Sequence, residues 1–494
     1  MSTTSGSPPV SGRLGTAHIL FLIVAAAAPL SAMVGTVPLA FAFGDGAGVP
    51  AAFLFAGVTL LCFSAGYAVS ARRTGGSGGF YASVADGLGR PPAVAAGYMA
   101  LLAYNCATIG LAGALGYFTQ LVLAAHGLTV SWEWCAAVGL VLTAVLGYRE
   151  IALSARVLAL LMLGEIGVLA ALDVAILVRH GVHALPAASF SPHTAAGPGV
   201  GVSLMFAFVS FIGFESAALY GKEARNPERS VPRATYAAAA LIAGFYALTS
   251  WLAVGAIGPD QVREVAGKQM GDLFFGLGDD FLGTAGSTIL QVLLCTSLFA
   301  ATLALHSAAN RYAQVLAQDG LLPRTLAAEH QRHGSPHRAS VWQSVLTALV
   351  LAGFAVAGLD PYADLTTSML GLGTLGIVTL QALAALSVLG LRLRAGHGHW
   401  WKETLAPLLG FAGLATSVWL VVGNFDMLTG SPSKVIAALP WLLPLVALGG
   451  LLYAVRLRSA HPLRYRQLGT RHTAAPATPD LSPAPSGDRH ARSQ

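Results

Sequence analysis

Two carboxylic acids fall near the middle of long apolar stretches: Glu165, within 155–178, and Glu215, within 199–221. A charged side chain at mid-bilayer depth costs roughly 2.5–3.5 kcal/mol on insertion scales, so such acids face a cavity, pair with a partner or carry protons. Asp173 lies nearer the end of the first stretch, where it reaches water, and reads as structural. His306 is a lone histidine on an apolar stretch and reads as a hydrogen bond to a neighbouring helix before it reads as a titrating or substrate-binding group. Tyr104 and Asn105 put polar groups on an otherwise apolar segment; lining a binding site and bonding another helix explain them equally well.

The backbone is interrupted near these acids. Ala28 to Pro38 places two prolines and a glycine inside one apolar stretch, and each proline removes an amide donor and crowds the preceding turn. Ser210 to Ser216, Ser-Phe-Ile-Gly-Phe-Glu-Ser, sets a glycine beside Glu215. Membrane helices tolerate Pro and Gly because neighbours re-satisfy the freed groups, so either interruption alone has an ordinary structural reading. Together they match transporters built from inverted repeats, where broken helices turn their ends and freed backbone groups toward a substrate at the midplane.

Other pattern matches fail on context. Gly75 to Gly79 satisfies a nucleophile-elbow pattern but lies in a glycine-rich loop with no strand before it. Gly371, Gly373 and Gly376 satisfy a dinucleotide fingerprint yet lie inside an apolar stretch, where close helix contact or a local distortion explains them. No zinc-protease, P-loop or Cys-rich metal pattern is present, so neither nucleotide drive nor metal catalysis has support, and no cofactor or metal is expected.

These residues need helices in a membrane to hold them. The chain is 55% hydrophobic and 10% charged, far below the roughly one-quarter charged fraction of soluble domains. A crossing helix takes about 20 apolar residues. Twelve stretches are read as spans: 18–43, 48–70, 93–124, 134–149, 155–178, 199–221, 234–257, 284–310, 340–357, 362–391, 403–424 and 436–457. With the N-terminus inside, all Lys and Arg except Arg179, Arg263, Lys268 and Lys434 fall on the cytoplasmic side, which puts both termini inside. The basic pI is explained by these flanking residues, so no nucleic-acid partner is expected. Cys62, Cys106, Cys135 and Cys295 form no disulfide or metal pattern. The first apolar stretch reads as a retained helix, not a cleaved signal. Residues 1–15 and 460–494, rich in small and polar residues, are expected to be disordered tails flanking a transmembrane domain at 16–459.

The loops resemble those of the amino acid, polyamine and organocation transporter superfamily. The resemblance is carried by Gly75-Gly76-Ser77-Gly78-Gly79-Phe80-Tyr81 with Gly87-Leu88-Gly89, and by Gly213-Phe214-Glu215 followed by Glu223-Ala224-Arg225-Asn226-Pro227-Glu228-Arg229 and Val231-Pro232-Arg233-Ala234. Asn310-Arg311, Asp319-Gly320-Leu321-Leu322-Pro323 and Ser335-Pro336 complete it. It implies an all-α membrane fold of about twelve helices. A 5+5 inverted repeat, about 18–178 and 199–391, has helices 1 and 6 broken, and two extra helices follow at about 403–457.

It also implies a substrate held between spans one, three, six, eight and ten. Aligned by Pro38, the family's Gly-Ser-Gly falls on Ser31, Ala32 and Met33, a departure, since Met33 adds bulk where glycines leave backbone open. The candidate substrate-binding residues are Ser31, Ala32, Met33, Val34, Gly35, Tyr104, Asn105, Ser210, Gly213, Phe214 and Glu215. Ser297 matches a hydroxyl position at a cation site in sodium-coupled relatives, and Glu165 falls where many proton-coupled relatives have lysine. Glu165, Glu215 and Ser297 are therefore the candidate coupling residues, with a proton expected and sodium the alternative.

The expected function is secondary active transport of amino acids by alternating access in the cytoplasmic membrane, the partners being a small-molecule substrate and the lipid bilayer. A polyamine or other amine permease of the same fold is the alternative, and a polytopic membrane enzyme or sensor the alternative of another class. Substrate identity, direction and oligomeric state are not legible.

Overall fold

A chain this apolar must satisfy its amides within each segment, and helices do so. The computed structural model describes residues 15–73, 78–149, 155–214, 225–331, 333–395, 399–425 and 434–469, and among these no residue is in a β-strand. The helices used below are α1 Thr16–Ala26, α2 Pro29–Phe43, α3 Val49–Arg73, α4 Gly79–Gly87, α5 Arg90–Ala125, α6 Trp132–Arg149, α7 Ala155–His180 and α8 Pro192–Ala195. They continue with α9 Val200–Val209, α10 Pro227–Ile257, α11 Val262–Gln269, α12 Leu273–Gln318, α13 His337–Val356, α14 Thr367–Ala395 and α15 Ala406–Gly423. Short α16 Lys434–Ala438, α17 Leu442–Ala460 and short α18 Pro462–Gln467 end the described chain.

Among the described residues, ten stretches are long and apolar enough to cross a membrane, against the twelve expected. The difference lies in two places. The expected span 134–149 is the 18-residue helix α6, which carries Glu133 and Arg149 at its ends and falls outside those ten. Among the described residues of the expected span 199–221 the helix is α9, Val200–Val209, and residues 215–224, Glu215 among them, lie outside the described residues. Span eight was expected to begin at 284, and α12 turns sharply at Gly283 (φ 73°), a conformation glycine adopts without penalty.

Helix α5 is the spine, packed along α12 and α14, while α3 lies against α10 and α15. The α5–α14 contact explains the glycines that mimic a nucleotide fingerprint. A Cβ on Gly373 would sit 2.8 Å from Ala107 N and 2.9 Å from Ala103 O, and one on Gly376 would sit 2.6 Å from Ala103 Cβ. The obstacle at Gly373 is backbone, which cannot swing aside. Gly373→Val is therefore expected to cost about 1–3 kcal/mol through overpacking and to lower the melting temperature of the purified protein in detergent. An unchanged melt would mean that the two helices are not in backbone contact.

Polar residues gather at both ends of the bundle. At one end, the Tyr81 hydroxyl donates to Asp319 Oδ2 at 2.6 Å and the Gly469 amide donates to the same oxygen at 3.0 Å. Burial, with the Asp319 carboxylate beside it, pushes the Tyr81 phenol well above its ordinary range. Arg464 donates to Gly320 O, and Leu468 is buried. The chain thus stays ordered beyond residue 460, where a tail was expected: Leu468 finds an apolar seat and Arg464 a carbonyl. At the opposite end, Asp45 follows α2 and accepts from the Gly199 amide at 2.8 Å, while its own amide donates to Ser203 Oγ at 2.8 Å. Burial pushes the Asp45 carboxyl up, opposed by the Gly199 hydrogen bond and by Arg263.

Candidate functional site

The first apolar stretch is broken, and Pro29 is the cause. Proline suits the first turn of a helix, but its ring drives the preceding residue out of the right-handed helical region. Ala28 accordingly adopts φ 45°, ψ 71°, which costs a non-glycine residue about 1–2 kcal/mol. Pro38, the other expected breaker, lies inside α2 without ending it. The break therefore falls at Ala27–Ala28, ahead of the Ser31-Ala32-Met33 segment that alignment by Pro38 had placed there. Ser31, Ala32, Met33, Val34 and Gly35 are buried helical residues of the first turns of α2.

The start of α2 carries unsatisfied amides and the positive end of the helix dipole. Glu165 fills it. Along α7 the residues Met162, Glu165, Val168, Leu169, Leu172, Asp173 and Ile176 are buried, at the i, i+3, i+4, i+7 spacing of a single helix face. Glu165, 5% exposed, accepts at Oε2 from the Leu30 amide at 3.3 Å and from Ser297 Oγ at 2.9 Å. Ser31 Oγ in turn donates to Ser297 Oγ at 2.9 Å. The sequence-predicted residues Ser31, Glu165 and Ser297, on α2, α7 and α12, thus form one hydrogen-bonded chain at the break.

The second interruption lies against the first. Helix α9 ends at Val209, and Gly213 has φ 103°. A Cβ there would lie 2.6 Å from Ala26 O, the carbonyl of the last residue of α1. One turn earlier, Ser210 Oγ meets Thr36 Oγ1 of α2 at 3.1 Å, and the Asp45 contacts already described join the far ends of the same two helices. Phe214 is buried beside Gly213 in sequence. Tyr104 stacks on Tyr312 with ring centroids 5.0 Å apart, and Asn105 Nδ2 donates to Leu101 O of its own helix. His306 Nε2 pairs with Ser340 Oγ at 2.9 Å, as a contact between α12 and α13.

A family model described as amino acid permease matches residues 14–451, nearly the whole chain. The chain belongs to the amino acid permease family. Membership agrees with the ten stretches of the described residues that are long and apolar enough to cross a membrane. This permease is 28% identical over 260 residues to an uncharacterised amino acid permease of Bacillus subtilis, covering 50% of this chain and 56% of that one. It is 25% identical over 226 residues to a branched-chain amino acid permease of Lactococcus lactis, 45% of each chain. An uncharacterised transporter of Mycobacterium tuberculosis is 29% identical over 206 residues, 42% of each. The permease thus spans about half the length of these curated relatives.

Three groups around the permease's break escaped sequence reasoning. Tyr362 donates to Gly35 O at 3.1 Å and lies in a parallel stack with Tyr117, centroids 4.7 Å apart. Tyr246, fully buried, donates to Ala27 O at 3.4 Å. Thr36 bridges to Ser210. Only Thr36 carried a usable signal, a hydroxyl within the interrupted stretch. The tyrosines are single aromatic residues at ordinary positions of other spans.

Proposed function

We propose that this permease is a secondary active transporter of amino acids in the cytoplasmic membrane, driven by protons and working by alternating access. The 5+5 inverted repeat with two extra helices is the architecture this reading adopts. Both termini are cytoplasmic, the Asp45 end faces outside and the Asp319 end faces the cytoplasm. The observation that carries it is the Leu30–Glu165–Ser297–Ser31 chain at the break.

Its chemistry favours a proton over sodium. Among the described residues, Glu165 Oε2 is met by an N–H and an O–H donor, which stabilise a carboxylate and occupy the side of that oxygen where a cation would bind. Charge-assisted hydrogen bonds are roughly twice as strong as neutral ones, so protonating Glu165 loosens its hold on the start of α2. A substrate carboxylate drawn to the same positive helix end is repelled by an ionised Glu165 and admitted by a neutral one. Proton and amino acid then bind together. The substrate amine turns to the carbonyls that end α1, and Glu215 is a second proton-carrying candidate.

Purified protein in sealed liposomes, offered a panel of L-amino acids and polyamines under an imposed pH or sodium gradient, tests this. Amino acids are expected to accumulate when the outside is acidic. Accumulation of polyamines alone points to the amine permease, dependence on sodium alone removes the proton, and failure to move any solute removes transport.

A further inference from the structure

Asp173 lies on α7 two turns beyond Glu165, about 12 Å along the helix and about 80° round it. It is 6% exposed, and its Oδ2 accepts from Thr249 Oγ1 of α10 at 2.7 Å. Its Oδ1 has no hydrogen-bond partner among the described residues. One neutral hydroxyl is poor compensation for a buried carboxylate, whereas the protonated acid is neutral and keeps the same bond. A carboxyl in this setting is suited to taking up and releasing a proton.

The groups around it lead toward the break. Between Asp173 and Glu165, α7 buries Val168, Leu169 and Leu172, so no polar side chain of α7 joins the two acids. Helix α10 supplies them: Thr249 holds Asp173, and one turn away the Tyr246 hydroxyl reaches Ala27 O. Ala27 is followed at the break by Leu30, whose amide holds Glu165. Among residues with described side chains, the other titratable or charged groups on elements packed against α7 are Asp279, Asp280, Cys295, His306, Arg311 and Tyr312 on α12, Arg229, Arg233 and Tyr236 on α10, His183 in the turn after α7, and His18 on α1. Arg179 on α7 itself donates to Asp280 O, and Thr249 is the partner Asp173 has.

We propose that Asp173 is the outer proton-loading residue of the coupling path, taking a proton from the side where α7 ends and passing it through Thr249 and Tyr246, with water between them, to Glu165. Each hydroxyl gives up one proton as it accepts another, so both are unchanged. Asp173 returns to carboxylate as Glu165 becomes the acid. This rests on the reading of Glu165 as a proton carrier.

Liposomes with a trapped pH-sensitive dye, given a mixture of the standard L-amino acids outside, report proton influx as a function of outer pH. Asp173→Asn is expected to slow influx about tenfold or more and to flatten the outer-pH profile, Asp173→Glu to restore most of both, and Thr249→Val to slow influx severalfold. Asp173→Asn with the wild-type rate and profile overturns the proposal, as does Asp173→Glu failing as badly as the amide, which would assign Asp173 a role in shape alone. If Asp173→Asn does not fold, Thr249→Val at the wild-type rate overturns it. Wild-type protein that moves amino acids without acidifying the lumen overturns the reading of Glu165 itself, and is told apart because the unmutated protein already shows it.

Discussion

Glu165→Gln is expected to abolish accumulation driven by an inward proton gradient while exchange of amino acid for amino acid across the membrane continues. Glutamine keeps the length of the side chain and an oxygen able to accept from Leu30 and Ser297, so it holds the start of α2 as the protonated acid does, permanently in the looser state. What it loses is the proton. Because a neutral side chain no longer repels a substrate carboxylate, apparent affinity should also cease to rise as the outside becomes acidic. The measurement is radiolabelled uptake against pH gradient, beside counterflow with no gradient. Accumulation at the wild-type level would remove Glu165 from the coupling path.

The next largest effect is expected at Gly213. An added Cβ meets Ala26 O at 2.6 Å, and φ 103° is a conformation L side chains rarely adopt. Strained backbone of this kind costs about 1–3 kcal/mol, and the obstacle is again a carbonyl rather than a movable side chain. Gly213→Ala should reduce transport by about tenfold or more, by the barrier such strain adds, and lower the melting temperature. Wild-type uptake from this variant would show that the two breaks separate freely.

Composition and loop motifs made the membrane class and the family legible, because twenty apolar residues in a row and a run such as Asp319 to Pro323 are local properties of the chain. Pro29 and Pro38 show where local reading stops. Both are helix breakers by chemistry, but Pro29 is preceded by an alanine held at positive φ, whereas Pro38 lies within a helix buried on all sides. Ser31, Glu165 and Ser297 were each legible as polar residues in apolar stretches, and their meeting is a tertiary fact about three helices. Tyr362 and Tyr246 were hidden because what marks them is the carbonyl each one reaches, Gly35 and Ala27, more than a hundred residues away in sequence.

The seam between α2 and α9 runs from Asp45 at one end, through Thr36 and Ser210, to Ala26 and Gly213 at the breaks. Its length matters for how tightly a turnover can be geared. Two half-helices stapled at both ends and in the middle of their seam share one pivot, since Gly213 lies against the Ala26 carbonyl that ends α1, so α1 turns about the point where the stretch after α9 meets it. A part-open arrangement, with α1 displaced and α9 not, would pull Gly213 off the Ala26 carbonyl. Such slippage is what lets ions leak without cargo, and the shared pivot works against it.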